Sequence, residues 1–328
     1  MKKTYNVGII GLGFFGRLHL DSLYKNKDVN IVGVCDLSIE KWNEIKNHYK
    51  DINFYTAVDE LLGQDNIDVV HITTDEETHY EIAAKALSYG KHIFMEKPLV
   101  TDLTQANILY KKAKEKNLSI GVGHLLRFES RHKDLKKAIK GGTLGSIECI
   151  TLRRNFKKGM IDHYGRVNAF ITALVHDIDL VQFFSESKII KGNGVQLLPK
   201  LKSYQFNSAV LETENSIVCS LENIWLLPDE YPYDMEFEVV IYGTQGTART
   251  RINPDVEYFT KDTKYSELLI NDALDKELKH FIEHVLYDVG ELQPTLEEAI
   301  HNVEIALHLV EQSKHNKLVD VQTGYSYV

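Results

Sequence analysis

Tyr5-Asn6-Val7-Gly8-Ile9-Ile10-Gly11-Leu12-Gly13-Phe14-Phe15-Gly16 decides the fold: an apolar, β-type run delivers three glycines at the spacing G-x-G-x-x-G and then opens a helical pattern. Strand, glycine loop and helix in that order form a phosphate-binding turn. Gly11 allows the sharp turn, Gly13 lets the backbone approach a pyrophosphate, and Gly16 lets helix and strand pack closely, which leaves helix N–H groups aimed at phosphates. Phe14 and Phe15 ride on the same loop and are expected beside the cofactor. Asp36 lies twenty positions past Gly16, at the end of the second strand. Its carboxylate can accept hydrogen bonds from ribose hydroxyls and repels a 2′-phosphate, so NAD is favoured over NADP; Leu37 offers no cation to reverse this.

Working outward, short β-branched runs alternate with helical ones up to Gly123, with strands at Asn6–Ile10, Asn30–Cys35, Val69–Ile72, His92–Met95 and Ser119–Val122. That alternation predicts a doubly wound parallel sheet with crossover helices. Asp102 and Thr101 supply a cap for a helix over Asp102–Lys116. After one amphipathic stretch, Glu129–Lys140, strands follow one another at Ser146–Asn155, Ile189–Leu197, Gln205–Leu211, Ser216–Trp225, Met235–Gly243 and Thr247–Ile252. A helical pattern over Val167–Phe184 interrupts them, and helices at Asp272–Asp288 and Thr295–Ser313 follow. The fold class is α/β: an N-terminal Rossmann unit, 1–123, then an α+β unit, 124–328, with a large, open, mainly antiparallel sheet.

The 328 residues suit two domains, and a composition 43% hydrophobic and 26% charged suits a globular core. A formal charge of −9 argues against nucleic acid as a partner, since that affinity rests on clustered Lys and Arg. No apolar run reaches the roughly 20 residues of a bilayer span and none reads as a signal peptide, so a cytoplasmic protein is expected. Cys35, Cys149 and Cys219 read as reduced thiols, not as a disulfide framework or a metal site.

Glu96-Lys97-Pro98 ends a strand of the parallel sheet, where ligands of such sheets bind. An ammonium there can hold a substrate oxygen and offset the negative charge that develops on it. Pro98 disfavours helical backbone at Lys97. The second group is His176, in Ala173-Leu174-Val175-His176-Asp177-Ile178-Asp179-Leu180. Helical spacing places Thr172, His176 and Asp179 on one face, with Asp179 in reach to orient the imidazole. A nearby Lys97 favours the neutral, basic imidazole. Taken singly, a lysine at a strand end or a histidine beside two aspartates is more often a surface group.

Together these motifs resemble the Gfo/Idh/MocA oxidoreductases, the family of glucose-fructose oxidoreductase and inositol dehydrogenase, over nearly the whole chain. The glycine loop looks like the family's dinucleotide loop, and Ile72-Thr73-Thr74 through His79 like its strand end beside the nicotinamide. Glu96-Lys97-Pro98 looks like its catalytic lysine motif, Gly123-His124 with Arg127-Phe128 like its next strand end, and His176-Asp177-Ile178-Asp179 like its substrate-side helix. The resemblance implies Lys97 and His176 as catalytic groups. It implies Gly11, Gly13, Phe14, Phe15, Gly16, Asp36, Thr73, Thr74, His79, Glu96 and Lys97 as cofactor contacts, and a homodimer or homotetramer. Candidate substrate contacts are Thr172, Asp179, Arg127, Arg154 and His163. One departure matters: family members with an Asp–His pair place the acid one turn before the histidine, where this chain has Thr172, and a hydroxyl cannot act as a carboxylate base. Thr74, where the family often has proline, is milder.

The substrate expected is a sugar, polyol or sugar derivative. Arg153, Arg154, Lys157, Lys158 and Arg166 would suit an anionic one, or form a solvated basic rim. Trp225 and Pro228–Tyr233 suit carbohydrate stacking or a subunit interface. His280-Phe281-Ile282-Glu283-His284 imitates a zinc motif but lies on an ordinary charged helix face without a third ligand, so no metal is expected. Two alternatives stay open: a glycosidase- or lyase-type enzyme using tightly held NAD transiently, and a non-catalytic NAD-binding protein.

Overall fold

The computed structural model describes residues 4–161, 166–197, 206–233, 235–251 and 270–315. The apolar runs of the N-terminal half form a parallel sheet of β1 (Tyr5–Ile10), β2 (Val29–Cys35), β3 (Asn53–Tyr55), β4 (Val69–Ile72), β5 (His92–Glu96) and β6 (Ile120–Gly123). The order is β3-β2-β1-β4-β5-β6, so the chain reverses direction across the sheet between β1 and β4. That switch is where doubly wound sheets open a crevice for ligand. The three-residue β3 is the strand that periodicity could not expose. Helices α1 (Phe14–Lys25), α2 (Ile39–Ile45), α3 (Val58–Leu62), α4 (His79–Ser88) and α5 (Leu103–Lys116) make the crossovers. Asp102 caps α5 as expected, its carboxylate accepting from the Gln105 N–H at 2.9 Å.

After α6 (Ser130–Lys140) comes the second sheet, of β7 (Ile147–Lys157), β8 (Ile189–Leu197), β9 (Phe206–Thr213), β10 (Val218–Leu227), β11 (Met235–Gly243) and β12 (Gly246–Arg251). Its order is β12-β11-β7-β10-β9-β8, antiparallel except for the parallel central pair β7–β10. All six expected strands are present, although Gln205 and Ile252 lie outside the described residues. Strand alternation sends Ile150, Leu152, Arg154 and Phe156 inward and leaves Arg153 half-exposed beside Glu222 on the other face.

The helix expected over Val167–Phe184 is instead two, α7 (Ala169–Thr172) and α8 (Val175–Ser185), broken at Ala173 and Leu174. Asn168 starts α7 by accepting from the Phe170 N–H at 3.0 Å. Nearly all of α8 is buried against the second sheet.

The last two helices, α9 (Ile270–Tyr287) and α10 (Leu296–His315), return to the first sheet. Leu274, Leu278, Phe281 and Ile282 of α9 pack with Tyr5, Val7, Ile9 and Phe94. Gly121 on β6 permits this, since a Cβ there would stand 2.5 Å from the Phe281 ring. Burying each such side chain stabilises the fold by about 1.5–3 kcal/mol. Along α10, Ala299 and Val303 join the core of the first sheet while Ala306 and Leu309 join that of the second. One helix therefore ties the two sheets together. Cys35, Cys149 and Cys219 are free thiols. Among the described residues no helix is long and apolar enough to cross a membrane.

Candidate active site

The glycine loop is built for a tight turn. Gly11 has φ +99°, and a Cβ on Gly16 would meet the Gly11 carbonyl oxygen at 2.0 Å. Gly13 differs: a Cβ there would have no heavy atom within 4 Å, so its backbone borders open space at the start of α1. Asp36 lines the same crevice. One of its oxygens accepts the Leu12 N–H at 2.7 Å and the other the Ser38 N–H at 2.9 Å. Burial alone pushes this carboxyl up; the N–H groups of Ser38 and Leu12, with Lys41, outweigh it and hold the pKa below the usual value. Lys41 Nζ, 3.0 Å from Asp36, is a cation the sequence reading missed, because a single lysine at the start of α2 carries no signal. Thr73 donates to the carbonyls of Ile10 and Gly11, joining the ends of β1 and β4, and Thr74 lines the crevice. Open space at Gly13, the N-terminus of α1 beside it and an ionised Asp36 fit a dinucleotide.

Deeper in, Lys97, Thr172, His176 and Arg154 line one cavity with Phe14 and Phe15 of the glycine loop. Lys97 Nζ donates to the Thr172 carbonyl at 2.9 Å, an acceptor left free where α7 breaks. Burial lowers the Lys97 pKa, Glu96 and Glu76 resisting. Burial likewise pushes His176 well below its ordinary value, reinforced by Lys97, Arg154 and His124. The imidazole is therefore neutral at pH 7. Its Nδ1 is buried with no hydrogen-bond partner among the described residues.

Asp179 does not orient His176, contrary to the helical-spacing expectation. It accepts two bonds from Arg127, each 2.8 Å, and one from Asn302 at 2.8 Å. Arg127 also meets Glu298 at 3.0 Å, so this group clamps α8 to α10 and is not part of the cavity lining. A guanidinium 52 residues away competes better for the carboxylate than an imidazole one turn away, because it offers two parallel charged donors. Thr172 keeps its hydroxyl near the Asn168 carbonyl, 3.4 Å away.

Two further expected cofactor contacts serve as supports. Glu96 is buried against His19 at 3.0 Å, and His19 reaches His71 at 3.2 Å. His79 is buried between the carbonyls of Pro98, 2.8 Å, and Thr74, 3.1 Å, linking the Lys97 turn to the crevice. Neither lines the crevice or the cavity. The basic cluster also divides: Arg154 lines the cavity, Arg153 pairs with Glu222, and Arg166 pairs with Asp75 and Glu76. His163 lies outside the described residues. His280 and His284 bond the carbonyls of Glu291 and Gly290, holding the loop after α9.

Phe156, Met160, Trp225 and Met235 complete the cavity wall from the second sheet and the turn after β7. Of these only Trp225 was singled out from sequence. Alternation from Arg154 would have placed Phe156 on the same face.

Fold and site together define a two-domain, dinucleotide-binding oxidoreductase. Residues 5–124 match the model described as an oxidoreductase family with NAD-binding Rossmann fold, and 132–249 match the GFO/IDH/MocA C-terminal domain. The chain belongs to the Gfo/Idh/MocA oxidoreductase family. It is 25% identical over 304 residues to the inositol 2-dehydrogenase/D-chiro-inositol 3-dehydrogenase of Lactiplantibacillus plantarum, covering 88% of this chain and 85% of that one. It is 28% identical over 222 residues to the 4-carboxy-2-hydroxymuconate-6-semialdehyde dehydrogenase of a Sphingobium species, covering 66% and 70%. The fold matches scyllo-inositol dehydrogenase from Lactobacillus casei, solved with NAD(H) and scyllo-inositol, with TM-score 0.84, 21% identity and coverage of 97% and 99%.

Proposed function

We propose that the chain is an NAD-dependent oxidoreductase acting on a CH–OH group or the matching carbonyl of a small molecule, with Lys97 and His176 at the reacting oxygen. The observation that carries this is the shared cavity: ammonium, neutral imidazole and the glycine-loop phenylalanines border one space. Gly11, Gly13, Gly16 and Asp36 would hold the dinucleotide, Asp36 favouring NAD over NADP. Bound NAD supplies the hydride acceptor for a carbinol carbon, or the donor in reverse.

The side chains account for the proton and the charge. Lys97 donates to the substrate oxygen and stabilises its developing negative charge. His176, neutral and lining the cavity, takes the hydroxyl proton. Thr172 contributes its carbonyl as the fixed point for Lys97, so its lack of a carboxylate leaves His176 as the base. The relatives are dehydrogenases named for inositols and for a carboxylated semialdehyde, which supports this reaction class and leaves polyols and organic acids as substrates.

The test is absorbance at the nicotinamide band with a panel of inositols, sugars and hydroxy acids. We expect turnover that His176→Gln reduces by about 10²-fold or more. NAD that stays bound through purification with no net NADH formed from any of them would favour the transient-oxidation chemistry instead.

A further inference from the structure

We propose that the cavity selects an organic anion with an apolar body, and that Arg154 is the residue that recognises its carboxylate; this rests on the dehydrogenase reading above. Among the described residues, the cavity wall beyond the reacting pair is Arg154 and Thr172 with apolar side chains, among them Phe156, Met160, Trp225 and Met235, and the Thr172 hydroxyl already faces the Asn168 carbonyl. It contains no carboxylate and no amide. Each hydroxyl of a polyol brings a donor that needs an acceptor, and burying one without a partner costs about 1–3 kcal/mol. A fully hydroxylated ring would face several such penalties here, whereas a carboxylate brings acceptors only, matching the donors of the two cations that line the cavity, Lys97 and Arg154.

Arg154 is prepared for that task. Nε and Nη2 hold the two oxygens of Asp177 at 2.9 and 2.8 Å, and the Phe237 ring lies 4.5 Å from the guanidinium carbon. Among the described residues Nη1 has no hydrogen-bond partner, and the planar group is locked on one edge and one face. A group fixed in this way loses little freedom when it binds, so its remaining donor is worth more than that of a mobile lysine. Asp177, Glu96 and Glu76 offset the cations but are not part of the lining. Phe156 and Trp225, with ring centroids 4.6 Å apart and planes tilted by 35°, offer an apolar aromatic surface for the body of the ligand.

The test titrates the protein–NADH complex by calorimetry with cyclohexanecarboxylate, its neutral isostere cyclohexanecarboxamide, and scyllo-inositol. We expect the carboxylate to bind at least tenfold more tightly than either. Arg154→Gln combined with Asp177→Asn, which removes both charges and keeps the hydrogen-bonding shapes, should shrink that preference to about twofold, with a melting curve reporting that the variant is folded. Equal affinity for acid and amide, tighter binding of the inositol, or a preference that survives in the double variant overturns the proposal; the wild-type comparison decides even if the variant does not fold. Turnover of 3-hydroxycyclohexanecarboxylate and scyllo-inositol separates the two readings. Carboxylate-selective binding with no NADH from either sinks the dehydrogenase reading alone, whereas a higher kcat/KM on the inositol sinks only the anion.

Discussion

Lys97 and Thr172 are joined by one hydrogen bond, ammonium to backbone carbonyl at 2.9 Å, which ties the end of β5 to the helix break just before His176. The bond spans 75 residues of sequence, so it sets how the two groups proposed to meet the substrate oxygen face each other. Lys97→Met removes donor and charge while keeping the stem. We expect kcat to fall by about 10²-fold or more, with the Kd for NAD changed by less than about threefold. A loss of kcat below tenfold would show that the ammonium is not at the reacting oxygen.

The pH profile follows from the directions of the two shifts. As the proposed base His176 has to be unprotonated, and its pKa lies well below 6.5, so alcohol oxidation is expected to hold its rate as pH falls through 6.5. Lys97 must be protonated, and its pKa lies below 10.5, so the alkaline decline starts earlier than for a free lysine. Thr172→Asp would put an anion beside both groups and raise both pKa values, moving each limb upward. Profiles of kcat for the two proteins measure this, and an acid limb that stays put would contradict the placement of Thr172.

Two glycines of one loop should behave oppositely. Gly13→Ala adds a methyl into empty space, so the melting temperature should stay within about 1–2 °C while NAD affinity drops about tenfold or more. Gly16→Ala forces a carbon to 2.0 Å from the Gly11 carbonyl oxygen and should destabilise the fold by several kcal/mol, on the order of 3. Calorimetry of the apoprotein and NAD titration distinguish the two losses.

Asp36→Ala removes the acceptor for the Leu12 N–H and frees Lys41 from its ion pair. NAD should bind about tenfold more weakly, and the NADP-to-NAD ratio of kcat/KM should rise because Lys41 is then available to a 2′-phosphate. Adding Lys41→Ala should cancel the gain for NADP, and a gain that persists would place the phosphate elsewhere.

Glu277 on α9 is buried, with neither carboxyl oxygen bonded among the described residues. Burial raises its pKa well above 4.5, with Glu96 and Asp179 adding to it. Above pH 4.5 the unfolded chain releases this proton and the folded one keeps it, so stability falls as pH rises through that window. Glu277→Gln removes this slope: no gain near pH 4.5, and at pH 8 a Tm higher by a few degrees, for about 1–3 kcal/mol. His71, His79, His124 and His176 act in the other direction, their depressed pKa values costing stability as pH drops below 6.5. Melting curves of wild type and variant from pH 5 to 8 check both signs.

Much of the architecture could be read from local pattern. Short β-branched runs located every strand but β3, which with three residues is too short to stand out. The helix expected through Val167–Phe184 hid its break, since the run is apolar on both sides of Ala173. Within it, spacing assigned Asp179 to the wrong partner.

The amino-acid order alone determined the nucleotide loop, the lysine at a strand end and the two-sheet plan, because each depends on neighbours a few residues apart: glycine spacing, alternation, a proline after a lysine. Only the tertiary structure decided that Arg127 claims Asp179, that Arg154 and not Arg153 borders the cavity, and that α9 returns to cover the first sheet. Those are competitions between groups 52 or more residues apart, or choices of which face is covered, and they are settled by burial and charge in three dimensions.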